Sequence, residues 1–183
     1  MNQLKGTQTI SMSLRVKILQ MQGLFLLALQ IVKVKMNKGI CVKEMNITEV
    51  GDCVQVYKNA YAEAPWKESY QQEDVEKYIM EYIESQVYRA FVIKTSEETV
   101  GMAMGAQIPF PGKDFFRVED FCIEPRFQGK GYGRALLEGV ENAIKKQGID
   151  EIIISTQKDT SAYLFYRNMG YSQINSAVFY KRF

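Results

Sequence analysis

Histidine is absent from this sequence of 183 residues. Its absence excludes Ser-His-Asp and Cys-His nucleophile chemistry on this chain, as well as any metal centre that imidazole ligands would hold. Acid and base roles must therefore fall to Asp, Glu, Tyr, Lys, Cys or water.

Cysteine is also scarce. The chain has three cysteines, Cys41, Cys53 and Cys122, and their spacing is not that of metal ligands. An odd and small number does not form a disulfide framework, and it suits a reducing compartment. We therefore expect a cytoplasmic protein with no bound metal ion.

Most of the chain has no excess of positive charge. The formal net charge is +2, but residues 1–35 hold five basic side chains and no acidic one. The remainder, with 18 basic and 21 acidic residues, has a charge of about −3. Nucleic-acid binding needs a basic face that neutralises phosphates, so no nucleic-acid partner is expected.

The N-terminal segment contains an apolar run, GLFLLALQIV over residues 23–32. The run is shorter than a membrane span of ~20 apolar residues, and no small-x-small cleavage site follows it. Three interpretations remain: a start codon assigned too far upstream, a weak membrane anchor, or an additional amphipathic element. We favour Met36 as the true start, with 1–35 as an extension, 36–183 as one domain, and no membrane partner.

Hydrophobic periodicity predicts an α/β domain after Met36. The expected order is strand, two helices, three strands, helix, strand, helix and strand. The expected bounds, in that order, are 40–45, 48–62, 71–84, 88–94, 99–108, 115–124, 131–147, 152–154, 161–169 and 171–183. The run Ile152–Ile154 does not alternate, which is typical of a central strand covered on both faces.

A glycine-rich segment, Gln128-Gly-Lys-Gly-Tyr-Gly133, stands between a predicted strand and the longest predicted helix. Closely spaced glycines adopt positive φ and let backbone amides approach a ligand, and a helix N-terminus attracts phosphate. Lys130 and Arg134 add positive charge, so the segment predicts a pyrophosphate site. The P-loop motif is not present, and Arg134 replaces the third glycine of a dinucleotide fingerprint. A purely structural turn is the alternative.

The same segment resembles the cofactor motif of the GNAT acetyltransferase superfamily, Q/R-x-x-G-x-G/A. A second family mark is Tyr166, four residues before Gly170-Tyr171, and the predicted order of elements is that of the family. The resemblance covers about residues 39–183. It implies a GNAT fold, which is a mixed, mostly antiparallel twisted sheet of six to seven strands flanked by about four helices. The sheet would splay beside its fourth strand to admit CoA.

The resemblance further implies an acyltransferase that uses acetyl-CoA as acetyl donor. Tyr166 would take the general-acid position and protonate the departing thiolate. Asp159 lies near a position where the family often has an asparagine that contacts the cofactor. The other implied cofactor-binding residues are Phe121, Cys122 and Ile123, whose backbone would pair with the pantetheine arm, and Gln128, Gly129, Lys130, Gly131, Tyr132, Gly133 and Arg134, whose amides would hold the pyrophosphate.

Direct attack by an amine also needs a base, because an alkyl ammonium has a pKa near ~10.4 and must first lose a proton. Glu119 and Asp120 are the candidates, and strand alternation places them on opposite faces. We prefer Asp120, because many GNAT sequences have an acid three positions before the strand residue that corresponds to Ile123. Either carboxylate could instead form a surface salt bridge. Cys122, without histidine to activate it, is expected to be a buried structural thiol.

The acceptor side is expected in the loop between the first two helices, where GNAT folds build the acceptor pocket. Glu63, Trp66 and Tyr70 lie there, and an acid with aromatic rings suits a cationic amine, although Trp66 could equally anchor the loop. We expect transfer to a primary amine of a small molecule, aminoglycoside-like or polyamine-like, by a monomer or homodimer. The alternatives are a protein N-terminal or lysine acetyltransferase and a non-catalytic CoA-binding sensor module.

Overall fold

The computed structural model describes residues 39–182 of the chain. The predicted N-terminal extension and its apolar run lie outside the described residues. Among residues 39–182, no helix is long and apolar enough to cross a membrane.

Within the described range, five strands form one sheet in which each strand pairs with the next along the chain. The first four strands are antiparallel, and the fifth runs parallel to the fourth. The sheet is therefore mixed and mostly antiparallel, as predicted. The strands are β1 (Cys41–Glu44), β2 (Tyr88–Lys94), β3 (Thr99–Ile108), β4 (Phe115–Ile123) and β5 (Glu151–Ile154).

Four α-helices accompany the sheet in the described part of the chain: α1 (Val50–Ala62), α2 (Gln72–Glu84), α3 (Tyr132–Lys145) and α4 (Ser161–Asn168). A 3₁₀ turn precedes α1, because Asn46 and Glu49 form a capping box there. The helices match the predicted ones closely. The apolar stripe is clearest in α2 and α3, whose buried residues recur at helical spacing.

The two faces of the sheet are covered by different helices. Side chains of α1 and α2 pack on one face, which carries Val92 of β2 and Met102 of β3. On the other face α3 approaches β1 so closely that a Cβ on Gly139 would lie 2.4 Å from Val42 Cγ1. A glycine at this position therefore sets the distance between helix and sheet.

A β-bulge in β4 decides which way the next side chains point. Met104 of β3 pairs with Asp120, whereas Gly105 pairs with Val118, so Glu119 has no partner in β3. A bulge shifts the alternation by one residue. Asp120 consequently shares the face of α1 and α2 with Met104, while the bulged Glu119 is exposed.

The C-terminal strand predicted for residues 171–183 is not formed. Residues 171–182 have no regular secondary structure. Phe179 is 94% exposed there. Strand-favouring composition stabilises a strand only when a neighbour supplies hydrogen bonds and packing. The described sheet thus has five strands, one or two fewer than the six to seven expected. It also follows that Ile152–Ile154 form the last strand of this sheet and not a central one, with half-buried side chains.

Candidate active site

The candidate site lies where β4 and β5 separate. β5 pairs only with the first half of β4, from Phe115 opposite Glu151 to Val118 opposite Ile154. Beyond Val118, no strand of the described sheet pairs with β4 on that side. Apart from the Ile123 carbonyl, which accepts a hydrogen bond from the Gln128 side chain, the backbone N–H and C=O groups on that edge are therefore available to a ligand. A cavity of about 480 Å³ opens beside this free part of β4.

Most residues expected to hold the cofactor surround this one cavity. It runs from the free edge of β4 to the N-terminus of α3. The predicted residues that line it are Phe121, Cys122, Ile123, Gln128, Gly129, Gly131, Gly133 and Arg134. The structure thus brings together two segments that the sequence analysis assigned to two parts of one ligand.

Three residues expected at the cofactor do not line the cavity. The Lys130 ammonium lies 5.5 Å from the centre of the Phe127 ring, and the Tyr132 ring makes an edge contact with the same phenylalanine. Asp159 is exposed, and its φ of 63° turns the chain just before α4. The following residue, Thr160, lines the cavity in its place.

The glycine loop has a conformation that favours glycine. Gly129 and Gly131 have φ of 71° and 89°, in the left-handed region where a Cβ is strained. The Gln128 side chain donates a hydrogen bond of 3.0 Å to the Ile123 carbonyl, which ties the loop to the end of β4. The first amides of α3 have no intrahelical acceptor and stand at the positive end of the helix dipole. The loop therefore presents donors and positive potential to the cavity.

Tyr166 of α4 lies at the wall of the same cavity. Its ring contacts those of Phe121, Phe165 and Tyr171 at centroid distances of 6.1, 5.2 and 5.9 Å. Burial raises the pKa of Tyr166, and the neighbouring Cys122 adds to the effect. The hydroxyl therefore stays protonated at neutral pH, which is the form that can donate a proton. Within residues 39–182 this hydroxyl has no hydrogen-bond partner.

Asp120 is buried, with 7% of its surface exposed, and does not itself line the cavity. The Tyr61 hydroxyl donates to Oδ1 at 2.7 Å, and the Tyr78 hydroxyl donates to Oδ2 at 2.6 Å. Burial, followed by the proximity of the Asp120 carboxylate, raises the pKa of Tyr61. Burial and the hydrogen bond to Asp120 raise that of Tyr78. Both phenols thus remain hydrogen-bond donors to one carboxylate.

Glu119, the other candidate base, has a different environment. Its side chain is exposed and forms a salt bridge with Arg117, two residues earlier on β4. This is the surface arrangement that the sequence analysis left open for either carboxylate. Of the two neighbouring acids, Glu119 is therefore a surface group and Asp120 a buried one.

Of the three residues expected to bind the acceptor, only Trp66 lines the cavity. Trp66 lines the cavity, is 38% exposed, and lies 6.0 Å from the Tyr61 ring. Tyr70 does not line it but makes edge contacts with Tyr57 and Tyr61 at 5.6 and 6.3 Å. Glu63 is exposed, and its carbonyl accepts hydrogen bonds from the loop backbone.

Sequence reasoning missed Tyr61 and Tyr78. Each occupies a helical position where a packed aromatic is the ordinary interpretation, and the contacts to Asp120 join residues 59 and 42 positions apart. It also missed Glu124, a buried carboxylate that accepts a 2.9 Å hydrogen bond from the Asn59 amide. No signal in a single sequence identifies such pairs.

Two further features bear on the chemistry of the site. Cys122 is buried, and burial raises its pKa well above the ordinary value, which opposes formation of a reactive thiolate. In the described part of the chain, no group of three or more Cys, Asp or Glu side chains is arranged to hold a metal ion.

Comparison with known proteins identifies a family. The sequence model of the Acetyltransferase (GNAT) family matches residues 55–171, which is more than half of the chain. No curated protein matches the sequence significantly.

Solved structures similar to this one include a GNAT family acetyltransferase from Staphylococcus aureus. It is 20% identical, with a TM-score of 0.64 over 79% of this chain and 99% of that one. An aminoglycoside acetyltransferase from an uncultured soil metagenomic sample, solved in complex with sisomicin, is 14% identical with a TM-score of 0.66, covering 81% and 99%. A ribosomal-protein-alanine N-acetyltransferase from Brucella melitensis is 12% identical with a TM-score of 0.63, covering 79% and 99%. At these identities the similarity establishes the fold alone.

Proposed function

This chain belongs to the Acetyltransferase (GNAT) family and is an acyltransferase, and we propose that it transfers the acetyl group of acetyl-CoA directly to a primary amine of a small molecule. The observation that carries the proposal is the cavity beside the free edge of β4. A free strand edge, a glycine loop with positive φ and a helix N-terminus meet around this one space.

Acetyl-CoA would supply an activated thioester, and the cavity offers a group for each part of it. The amides of Gly129 to Arg134 would bind the pyrophosphate at the N-terminus of α3. The free backbone edge of Phe121–Ile123 would hydrogen-bond the pantetheine arm as an added strand does. The Gln128 side chain ties the glycine loop to the end of β4, which favours a fixed position for the thioester.

The reaction needs a proton donor for the leaving sulfur and a proton acceptor for the amine. Tyr166 is the proposed acid, because it lines the cavity with a protonated hydroxyl that has no hydrogen-bond partner among the described residues. Asp120 is the proposed base, because it is the buried one of the two neighbouring carboxylates. Glu119, in its surface salt bridge with Arg117, supports stability at most weakly.

The acceptor is proposed to be a cationic small molecule. Trp66 stands at the cavity wall beside Tyr61, and aromatic faces attract an ammonium group. The sisomicin complex of the aminoglycoside acetyltransferase belongs to a protein with this fold, so a polycationic amine is a reasonable first probe.

Thiol release from acetyl-CoA tests the proposal, with the purified full chain and three separate acceptors: sisomicin, 1,4-diaminobutane and an alanine-terminated peptide. We expect one of the two small amines to raise the release rate above the rate without acceptor, and mass spectrometry to find one acetyl group on its nitrogen. Release with the peptide alone would contradict the small-molecule acceptor. No amine-dependent release, with acetyl-CoA bound, would contradict transferase activity towards these amines.

A further inference from the structure

We propose that Tyr61 is a further catalytic residue, whose hydroxyl oxygen takes a proton from the acceptor amine while its own proton moves to Asp120. The inference rests on the proposed function and assigns the route between the cavity and its base. The buried carboxylate does not line the cavity, so an amine there needs an intermediary to reach it.

Tyr61 is in the position of that intermediary. It lies near the C-terminus of α1, lines the cavity beside Ala60 and Trp66, and donates its hydroxyl proton to Asp120 Oδ1 at 2.7 Å. Tyr78, which bonds the other carboxylate oxygen at 2.6 Å, is not among the residues that line the cavity. Of the two phenols on this carboxylate, only Tyr61 touches the space where an acceptor would bind.

The direction of the hydrogen bond gives Tyr61 its chemical character. A phenol has one proton and two lone pairs, and here the proton is committed to the carboxylate. The remaining capacity of the oxygen is therefore to accept a hydrogen bond, and an amine N–H in the cavity is a suitable donor. Asp120 thus orients the Tyr61 hydroxyl as a neutral acceptor.

The proton transfers balance as follows. The acceptor reacts as the free amine, after its ammonium proton has passed to solvent water. The amine nitrogen forms a bond to the thioester carbonyl carbon, and the carbon–sulfur bond breaks with its electron pair on sulfur. A proton leaves the nitrogen for Tyr61 Oη as the phenolic proton passes to Asp120 Oδ1. Tyr166 protonates the sulfur. Water then returns a proton from Asp120 to Tyr166, so the residues regain their starting states.

The surroundings of Tyr61 disfavour ionisation of its phenol to a tyrosinate. The groups that face it are Asp120 and Cys122 of β4, Tyr57 of α1 and Tyr70 of the loop after α1. Burial is the largest of the influences that raise the pKa of Tyr61, and the Asp120 carboxylate is the next. The phenol therefore passes a proton through and does not hold a negative charge itself.

Two matched substitutions test the relay. Tyr61→Phe and Tyr78→Phe each remove one hydroxyl from the same carboxylate, from Oδ1 and Oδ2 respectively. We expect Tyr61→Phe to lower kcat by about 100-fold, the lower range for a proton-transfer group. The KM for acetyl-CoA should change by less than about threefold. Tyr78→Phe should lower kcat by less than about fivefold, because its hydroxyl only supports the carboxylate.

The measurement is steady-state thiol release with the acceptor that the wild-type chain acetylates, and thermal unfolding confirms that both variants fold. Equal losses of kcat in the two variants would overturn the proposal, because both hydroxyls would then merely hold Asp120 in place. An unchanged kcat in Tyr61→Phe would overturn it as well. A wild-type chain with no amine-dependent release contradicts the proposed function itself and is recognised before either variant is compared.

Discussion

The Tyr166 hydroxyl differs from that of its neighbour Tyr171 in position and in hydrogen bonding, although the two rings are in contact. Tyr166 lines the cavity and has no hydrogen-bond partner in the described range, whereas Tyr171 donates a 2.8 Å hydrogen bond to Glu141 away from it. Tyr166→Phe should therefore reduce kcat by about 100-fold and change acetyl-CoA affinity little, since the lost group acts on the leaving sulfur. Thiol release with Tyr171→Phe as the control measures this, and normal turnover in Tyr166→Phe would refute the acid role.

The neighbouring carboxylates of β4 give a second residue-scale prediction. Asp120→Asn removes the proposed proton acceptor but keeps the size of the side chain, so we expect kcat to fall by about 100-fold or more. Glu119→Gln removes only an exposed salt bridge with Arg117, and turnover should stay within about twofold. Parallel pH–rate profiles of the two variants decide between them. Full activity of Asp120→Asn at every pH would remove it from the base role.

At the residue scale the sequence predicts local features well and long-range contacts poorly. The positive φ of Gly129 and Gly131 follows from the glycine spacing and the motif. The burial of Asp120 does not, because it depends on the unpaired Glu119 in β4 and on two tyrosines from separate helices. Periodicity describes one element at a time and carries no information about such contacts.

Two glycines flank α3, Gly129 in the loop before it and Gly148 after it, and they allow the structural and the ligand-binding effects of a substitution to be separated. Gly129 and Gly148 both have positive φ, 71° and 82°, and a Cβ on either would meet no atom within 4 Å. Alanine at each position should cost about 1–2 kcal/mol of stability through backbone strain alone. Only Gly129→Ala should also weaken acetyl-CoA binding, because only Gly129 lines the cavity.

Thermal unfolding gives the stability of both glycine variants, and calorimetric titration gives their affinity for acetyl-CoA. Equal affinities in the two variants would contradict a ligand-binding role for the loop. Because Gly148→Ala also places an alanine at positive φ, it controls for the loss of stability that backbone strain alone causes.

The elements themselves were predictable where their stabilisation is local. The helices carry apolar stripes, and β2 and β3 are predicted to the residue, because a short polar turn separates two strand-like runs. The C-terminal tail was not predictable in the same way. Its strand-like composition is real, but residues 171–182 lack a pairing strand, and Val178 is 90% exposed.

On the scale of the whole molecule, buried thiols and phenols make stability depend on alkaline pH. Burial raises the pKa of Cys53 to about 12, and it raises that of Cys122 and of several tyrosines as well. The folded state thus retains protons that the unfolded chain loses above its ordinary cysteine and tyrosine pKa values, about 8.5 and 10. Stability from these groups is full below that range and declines as pH rises through it.

We therefore expect the free energy of unfolding to fall progressively above about pH 9. Urea unfolding at intervals from pH 7 to 11 measures this decline. A free energy of unfolding that stays constant to pH 11 would contradict the burial of these groups.

The domain boundary proposed at Met36 is also a whole-molecule prediction. The family match lies entirely after this residue. A chain that begins at Met36 should therefore remain soluble and retain its acetyl-CoA affinity. Insolubility or loss of binding, beside a well-behaved full chain, would show that residues 1–35 are needed.

The proposed function requires that the cavity beside the free edge of β4 binds acetyl-CoA. Thermal unfolding of the full chain with and without acetyl-CoA measures this binding. A ligand that binds only the folded state must stabilise it, by about 2.7 kcal/mol at a concentration 100-fold above Kd. We expect a clear rise in Tm that grows with acetyl-CoA concentration. An unchanged Tm at millimolar acetyl-CoA would contradict it and leave the glycine loop as a structural turn.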